Sequence, residues 1–196
     1  MSKRKSYPVR IPRFAAGIRA QESRTGLGRT WWAREWMRRI EAMMPDGRLG
    51  RARNYAASGQ VTALSIAGNR VQAKVVGTRE APYDVTLAFR TPEGDAFRRI
   101  VAAFRREPML TARVLADDLP TEVEELFRAE GLDLFPGGKL GPGRYDVTIA
   151  CSCPDYANPC KHALAVLLLL GEEIARRPAT LLELRGVLLE DLCDED

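Results

Sequence analysis

A chain of 196 residues, 45% apolar and 29% charged, is long enough for one fair-sized core and ordinary in make-up for a folded soluble protein. Four cysteines at this length exclude a disulfide scaffold, and the longest apolar run, Ala163–Leu170, falls far short of the roughly 20 residues a membrane span needs. The formal charge of +4 hides an asymmetry: residues 1–53 carry 14 Lys and Arg against 4 Asp and Glu, whereas residues 110–196 carry 8 against 17. The basic front end points to a partner with phosphates or acidic groups, a solvated tail being the plain alternative.

In chain order, residues 1–29 are rich in Arg, Gly, Ser and Pro without periodicity. They read as a basic, flexible arm anchored by Tyr7, Ile11, Phe14 and Ile18. The opening Met1–Ser6 has the charge of a secretion signal but no apolar stretch after it, so a cytoplasmic protein is expected. A helix is predicted from its cap Thr30 to Pro45-Asp46-Gly47, with Trp31, Trp32, Trp36, Met37, Ile40, Met43 and Met44 at three- and four-residue spacing. Arg34, Arg38 and Arg39 fall on or beside its other face, and a core helix with snorkelling arginines outweighs a nucleic-acid reader. Arg48, Arg51 and Arg53 follow in loop-like sequence, where guanidinium forks can meet phosphates or simply stay solvated.

A meander comes next. Residues 60–66 and 70–77 are strand-like around a turn at Ala67-Gly68-Asn69, and 83–89 alternates Tyr83, Val85, Leu87 and Phe89 with polar or small residues. Thr91-Pro92 is expected to open a helix with Phe97, Ile100, Val101 and Phe104 inward, ending at Glu107-Pro108. Short helices are predicted over 109–116 and 120–130, followed by an apolar plug of Leu132, Leu134 and Phe135. Residues 136–143 read as a Gly/Pro linker, which divides the chain into an α+β domain (30–135) and a C-terminal unit (144–191) with an acidic tail (192–196). The fold class is therefore α+β: a small antiparallel three-strand meander with packed helices, plus a C-terminal strand–knuckle–helix unit.

That unit holds three of the four cysteines and the sole histidine: Cys151-x-Cys153, six residues, then Cys160-x-His162. Thiolates and a neutral imidazole are the donors zinc prefers, and four of them close a tetrahedral structural site. Residues 144–150 read as a strand delivering Cys151 and Cys153, which point the same way because they are two apart. Asn158-Pro159 reads as cap and first residue of a helix running to about Arg176, so that Cys160 and His162 fall in its first turn. Ala163–Leu170 is apolar all round, which predicts a buried helix and an embedded knuckle. A last helix is expected over 178–191, with Cys193 a bystander.

The ligand spacing followed by an apolar helix resembles the SWIM-type zinc finger. The tryptophan helix, Ser58-Gly59-Gln60-Val61, Val75-Val76-Gly77-Thr78-Arg79 with Pro82-Tyr83-Val85, Gly131-Leu132-x-Leu134-Phe135-Pro136 and Arg185-Gly186 are similar to the bacterial SWIM zinc finger proteins. The resemblance implies zinc binding, DNA or protein contacts, and association with helicase-like SWI/SNF-type ATPases.

Catalytic zinc keeps an open position, whereas four protein donors leave none, and no second histidine remains for acid–base work. The expectation is thus a non-enzymatic module with one structural zinc on Cys151, Cys153, Cys160 and His162. In the first reading it contacts DNA through Arg48, Arg51, Arg53 and Lys161, mainly at phosphates. In the second it is a protein–protein scaffold for an ATPase without nucleic-acid contact. Neither reading involves a membrane or a small-molecule substrate.

Overall fold

Apolar on every side, the run 163–170 has to be enclosed on every side. The computed structural model describes residues 11–21, 29–43, 48–137, 139–141 and 144–193. In it this run is the middle of helix α6 (Lys161–Arg176), buried from His162 to Glu172. One flank of α6 meets a sheet of β1 (Val61–Ala67), β2 (Arg70–Val75), β3 (Tyr83–Phe89) and β6 (Val147–Cys151). Against its other flanks lie α1 (Trp31–Ala42) and α2 (Arg48–Ala57).

The sheet is antiparallel throughout, in the order β1-β2-β3-β6, so the expected meander gains a fourth strand. Val71, Ala73 and Val75 of β2, Val85, Leu87 and Phe89 of β3, and Val147 and Ile149 of β6 make one continuous buried face. A bulge between Val61 and Ala63 shifts the phase of β1, so that Leu64 and Ile66 follow Val61 onto the half-covered side. Residues 144–150 are not one strand. Asp146 turns inward and is buried, which separates Arg144–Tyr145 (β5) from β6. β5 instead pairs with Lys139–Gly141 (β4), within the stretch read as a linker.

All three tryptophans of α1 donate their indole N–H to backbone carbonyls: Trp31 to Leu119 (2.6 Å), Trp32 to Ile174 (3.1 Å) and Trp36 to Leu167 (3.1 Å). Thr30 caps the helix as expected, accepting from the Ala33 N–H. Among its arginines, Arg39 is occupied by Glu35 and Asp133. The core-packing reading of this helix therefore holds; its predicted end at 45–47 and the anchor Tyr7 lie outside the described residues. Residues 48–57 are a helix and not a loop, because Ala52, Tyr55 and Ala56 give it a buried stripe.

Between β3 and β6 the chain makes a helical excursion: α3 (Asp95–Arg106), α4 (Pro108–Leu115) and α5 (Thr121–Ala129). Ile100, Val101, Phe104, Leu110, Val114, Val123 and Phe127 close its interior. α3 starts at Asp95, after Gly94, and not at Thr91-Pro92. The predicted last helix is two, α7 (Ala179–Leu184) and α8 (Leu189–Cys193), split where Gly186 takes φ +76°, a conformation an L side chain resists. Leu192, assigned to the tail, is buried.

The arm also differs from expectation. Ile11 and Phe14 are 81% and 88% exposed, so they do not serve as anchors among the described residues. Backbone hydrogen bonds hold the segment instead, from Arg13 N–H to Gly77, Gly17 to Gly59, Ile18 to Val61 and Ala20 to Ala56.

Candidate metal centre

β6 ends at Cys151, paired with Val85. Ser152 extends the pairing: its N–H donates to the Asp84 carbonyl, and its Oγ accepts from the Asp84 N–H, both at 2.9 Å. This doubly pinned residue fixes the cysteines on either side of it. The chain then turns through a loop in which Asp155 Oδ1 accepts from Ala157 N–H (3.2 Å) and Asn158 Nδ2 donates to the Ile149 carbonyl (3.0 Å). Asn158 thus ties the loop to the β6 edge and does not cap α6. Cys160 is the N-cap, and its carbonyl receives the Leu164 N–H at 3.0 Å.

The donor atoms of Cys151, Cys153, Cys160 and His162 all lie within 4.8 Å of one another. His162 Nδ1 sits 3.8 Å from Cys160 Sγ and 3.9 Å from Cys151 Sγ. A zinc tetrahedron with Zn–S near 2.3 Å and Zn–N near 2.0 Å has edges of roughly 3.5–3.8 Å. The donor set and its spacing fit one zinc ion, and four protein donors make the site structural. Bound there, zinc would offset two of the three thiolate charges and clasp a strand end to a helix start.

Electrostatics prepare the site unevenly. Cys160 is drawn down to about 3, chiefly by the hydrogen bond from Cys151, against the opposing effect of burial, with His162 and the Ala163 N–H helping. Cys151 is pushed far up by the same hydrogen bond, in which it is the donor, and by burial. Cys153 is raised by burial. Without metal, one thiolate therefore accepts from neighbouring thiols.

His162 is enclosed by aromatic rings that the sequence reading did not connect with it. Tyr83 lies 4.6 Å from it between ring centroids, tilted by 34°, and Tyr55 lies 5.2 Å away, edge-on. Among the described residues its Nε2 is buried without a hydrogen-bond partner, and the two rings pack against the imidazole. Gly77 makes room for this stack: a Cβ there would come within 2.4 Å of Tyr83 Cε2. Tyr83 and Gly77 belong to the motifs quoted above, yet only the three-dimensional register brings them to His162.

Of the four cations expected to meet nucleic acid, three surround the knuckle. Arg48 lies 3.8 Å from Asp155, and its guanidinium stands 6.0 Å over the ring of Tyr156. Arg51 is exposed one turn further along α2, and its charge reaches the hydroxyl of Tyr55. Lys161 Nζ stands 5.7 Å over the Tyr55 ring. Residues 48, 51 and 55 share one helical face, and that face runs beside the knuckle. Arg53 falls elsewhere and pairs with Glu41 at 3.3 Å. Tyr156, absent from the sequence-based set, is 95% exposed in the loop between the ligand pairs. Cys193 lies exposed on α8, apart from the cluster.

A closed Cys3His shell joining a strand to a buried helix defines a structural zinc finger, which is a binding module and not a catalytic domain. The SWIM zinc finger family model matches residues 144–171, so the chain contains a SWIM zinc finger. It is 32% identical over 185 residues to the uncharacterized protein Rv2102 of Mycobacterium tuberculosis, a match covering 94% of this chain and 65% of that protein's length. The chain thus spans less than two thirds of that relative's length. No solved structure matches it. Among the described residues, no helix is long and apolar enough to cross a membrane.

Proposed function

We propose that this SWIM protein is a cytoplasmic, non-enzymatic accessory factor that binds DNA and works with a helicase-like SWI/SNF-type ATPase. The observation that supports DNA contact is the setting of Arg48, Arg51 and Lys161 on two helices around the rigid knuckle. Guanidinium and ammonium groups so placed neutralise phosphates and release counterions, giving affinity that falls with salt and carries little sequence preference. The net charge of −9 over residues 110–196 (8 basic against 17 acidic) argues against nucleic acid wrapping the whole chain. No catalytic step is assigned, since the closed zinc shell offers no position for water.

Titration of labelled DNA over a salt series tests this. Arg48→Ala/Arg51→Ala/Lys161→Ala should bind more weakly, with a salt slope reduced by about 2–3. Arg53→Ala, away from the knuckle, should change little. Absence of binding by the native protein at low salt would remove the DNA reading. Capture of the ATPase with the tagged protein tests the partnership, and its absence from cells that contain one counts against it.

A further inference from the structure

An exposed tyrosine usually folds its ring onto neighbouring apolar surface, because the ring is the part water excludes. Tyr156 does not: it keeps 95% exposure although both flanks of its loop are fastened. Cys153 and Cys160 would fix the loop ends once zinc is bound, the Asp155–Ala157 turn shapes its middle, and Asn158 holds it to Ile149. The ring is therefore presented by a stiff support. Arg48 stands over it at 6.0 Å, itself braced by Asp155, and Arg51 follows on the same helical face.

The geometry points to Tyr156 as a base-stacking residue, so that the ligand of this face is a single strand with unpaired bases. This rests on the nucleic-acid reading above and sharpens it. A base within a duplex is already stacked on both faces and offers only edges, whereas an unpaired base presents a π-face to any exposed ring. A ring with a guanidinium beside it supplies both contacts a nucleotide needs, stacking for the base and positive charge for its phosphate. Asp155 lowers the net charge of the spot, which sets the balance towards stacking relative to a purely electrostatic patch. The same arrangement carries no base-edge readout, so the binding is tolerant of sequence.

The zinc-loaded full chain, titrated with a short oligo-dT strand, an abasic strand of equal length and a duplex of equal length, provides the test. The native protein should bind oligo-dT on the order of tenfold more tightly than the abasic strand. Tyr156→Ala should erase that difference by weakening oligo-dT alone, and Tyr156→Phe should retain it. Because the side chain is exposed, neither change should alter the zinc content, which is measured alongside. Equal affinity of the native protein for oligo-dT and abasic strands, with Arg48→Ala weakening both, overturns the stacking role while leaving phosphate binding in place. Failure to bind all three ligands at low salt overturns the nucleic-acid reading itself.

Discussion

Arg185 Nη2 donates to Asp146 Oδ2 at 2.5 Å, with only 1% and 3% of the two side chains exposed. The same guanidinium donates to the carbonyls of Leu134 and Arg90, and Asp146 Oδ1 accepts the Gly137 N–H at 2.7 Å. One buried pair thus joins the α7–α8 turn, the end of β3, the apolar plug and the start of the strand that carries Cys151. Burial lowers the proton affinity of Arg185, and Asp146 acts against that effect. Removing one member leaves the other charged and unpaired in the core, at a cost of about 3–5 kcal/mol. Arg185→Met and Asp146→Ala should each lower the denaturation midpoint accordingly, and the double variant should cost less than the sum of the two. Strict additivity would show that the pair does not act as a unit.

Zinc binding requires thiolates, and the metal-free site holds its protons unequally. Cys160, drawn down to about 3, has no proton to release at neutral pH; Cys151 and Cys153, both raised, have one each. Zinc should therefore displace two thiol protons at pH 7, and its affinity should rise by about two decades per pH unit, since protons compete with the metal. Calorimetry in buffers of different ionisation enthalpy reads the count. A value of three from the thiols would mean that Cys160 is protonated in the metal-free protein. Cys153→Ser should lose metal and lower the thermal midpoint, whereas Cys193→Ser, on exposed α8, should do neither.

What could be read ahead of the structure was what short-range pattern carries. The ligand quartet, the buried α6 and the alternating β3 each depend on neighbours within a few residues, and all three appear as expected. The rest turns on partners far along the chain. Asp146 looked like an outward residue of an alternating strand, but Arg185, 39 residues later, draws it inward and breaks the strand. Residues 48–53 read as a basic loop because their arginines mask the first part of a helix with only three buried residues. The arm reads as anchored by side chains, yet its described part is held by backbone hydrogen bonds, and such bonding to a sheet edge leaves no compositional trace.

Gly77 offers a last test of how the site is held. Its backbone lies outside the left-handed region, so the demand for glycine there is one of space. A Cβ would lie 2.4 Å from Tyr83 Cε2, 3.1 Å from Cδ2 and 3.4 Å from His162 Nε2. The Tyr83 ring cannot retreat without disturbing its packing on His162, which lies 4.6 Å away between ring centroids. Gly77→Ala should therefore cost about 1–3 kcal/mol as overpacking. It should also weaken zinc binding, because among the described residues nothing hydrogen-bonds Nε2 to hold the imidazole against a displaced ring. Tyr83→Leu in the same chain removes the clash and should restore part of the stability, while zinc affinity stays low because the packed ring is gone. Competition with a chromophoric chelator gives the affinity and denaturant unfolding gives the stability. If Gly77→Ala matches the native protein in both, ring packing does not position His162.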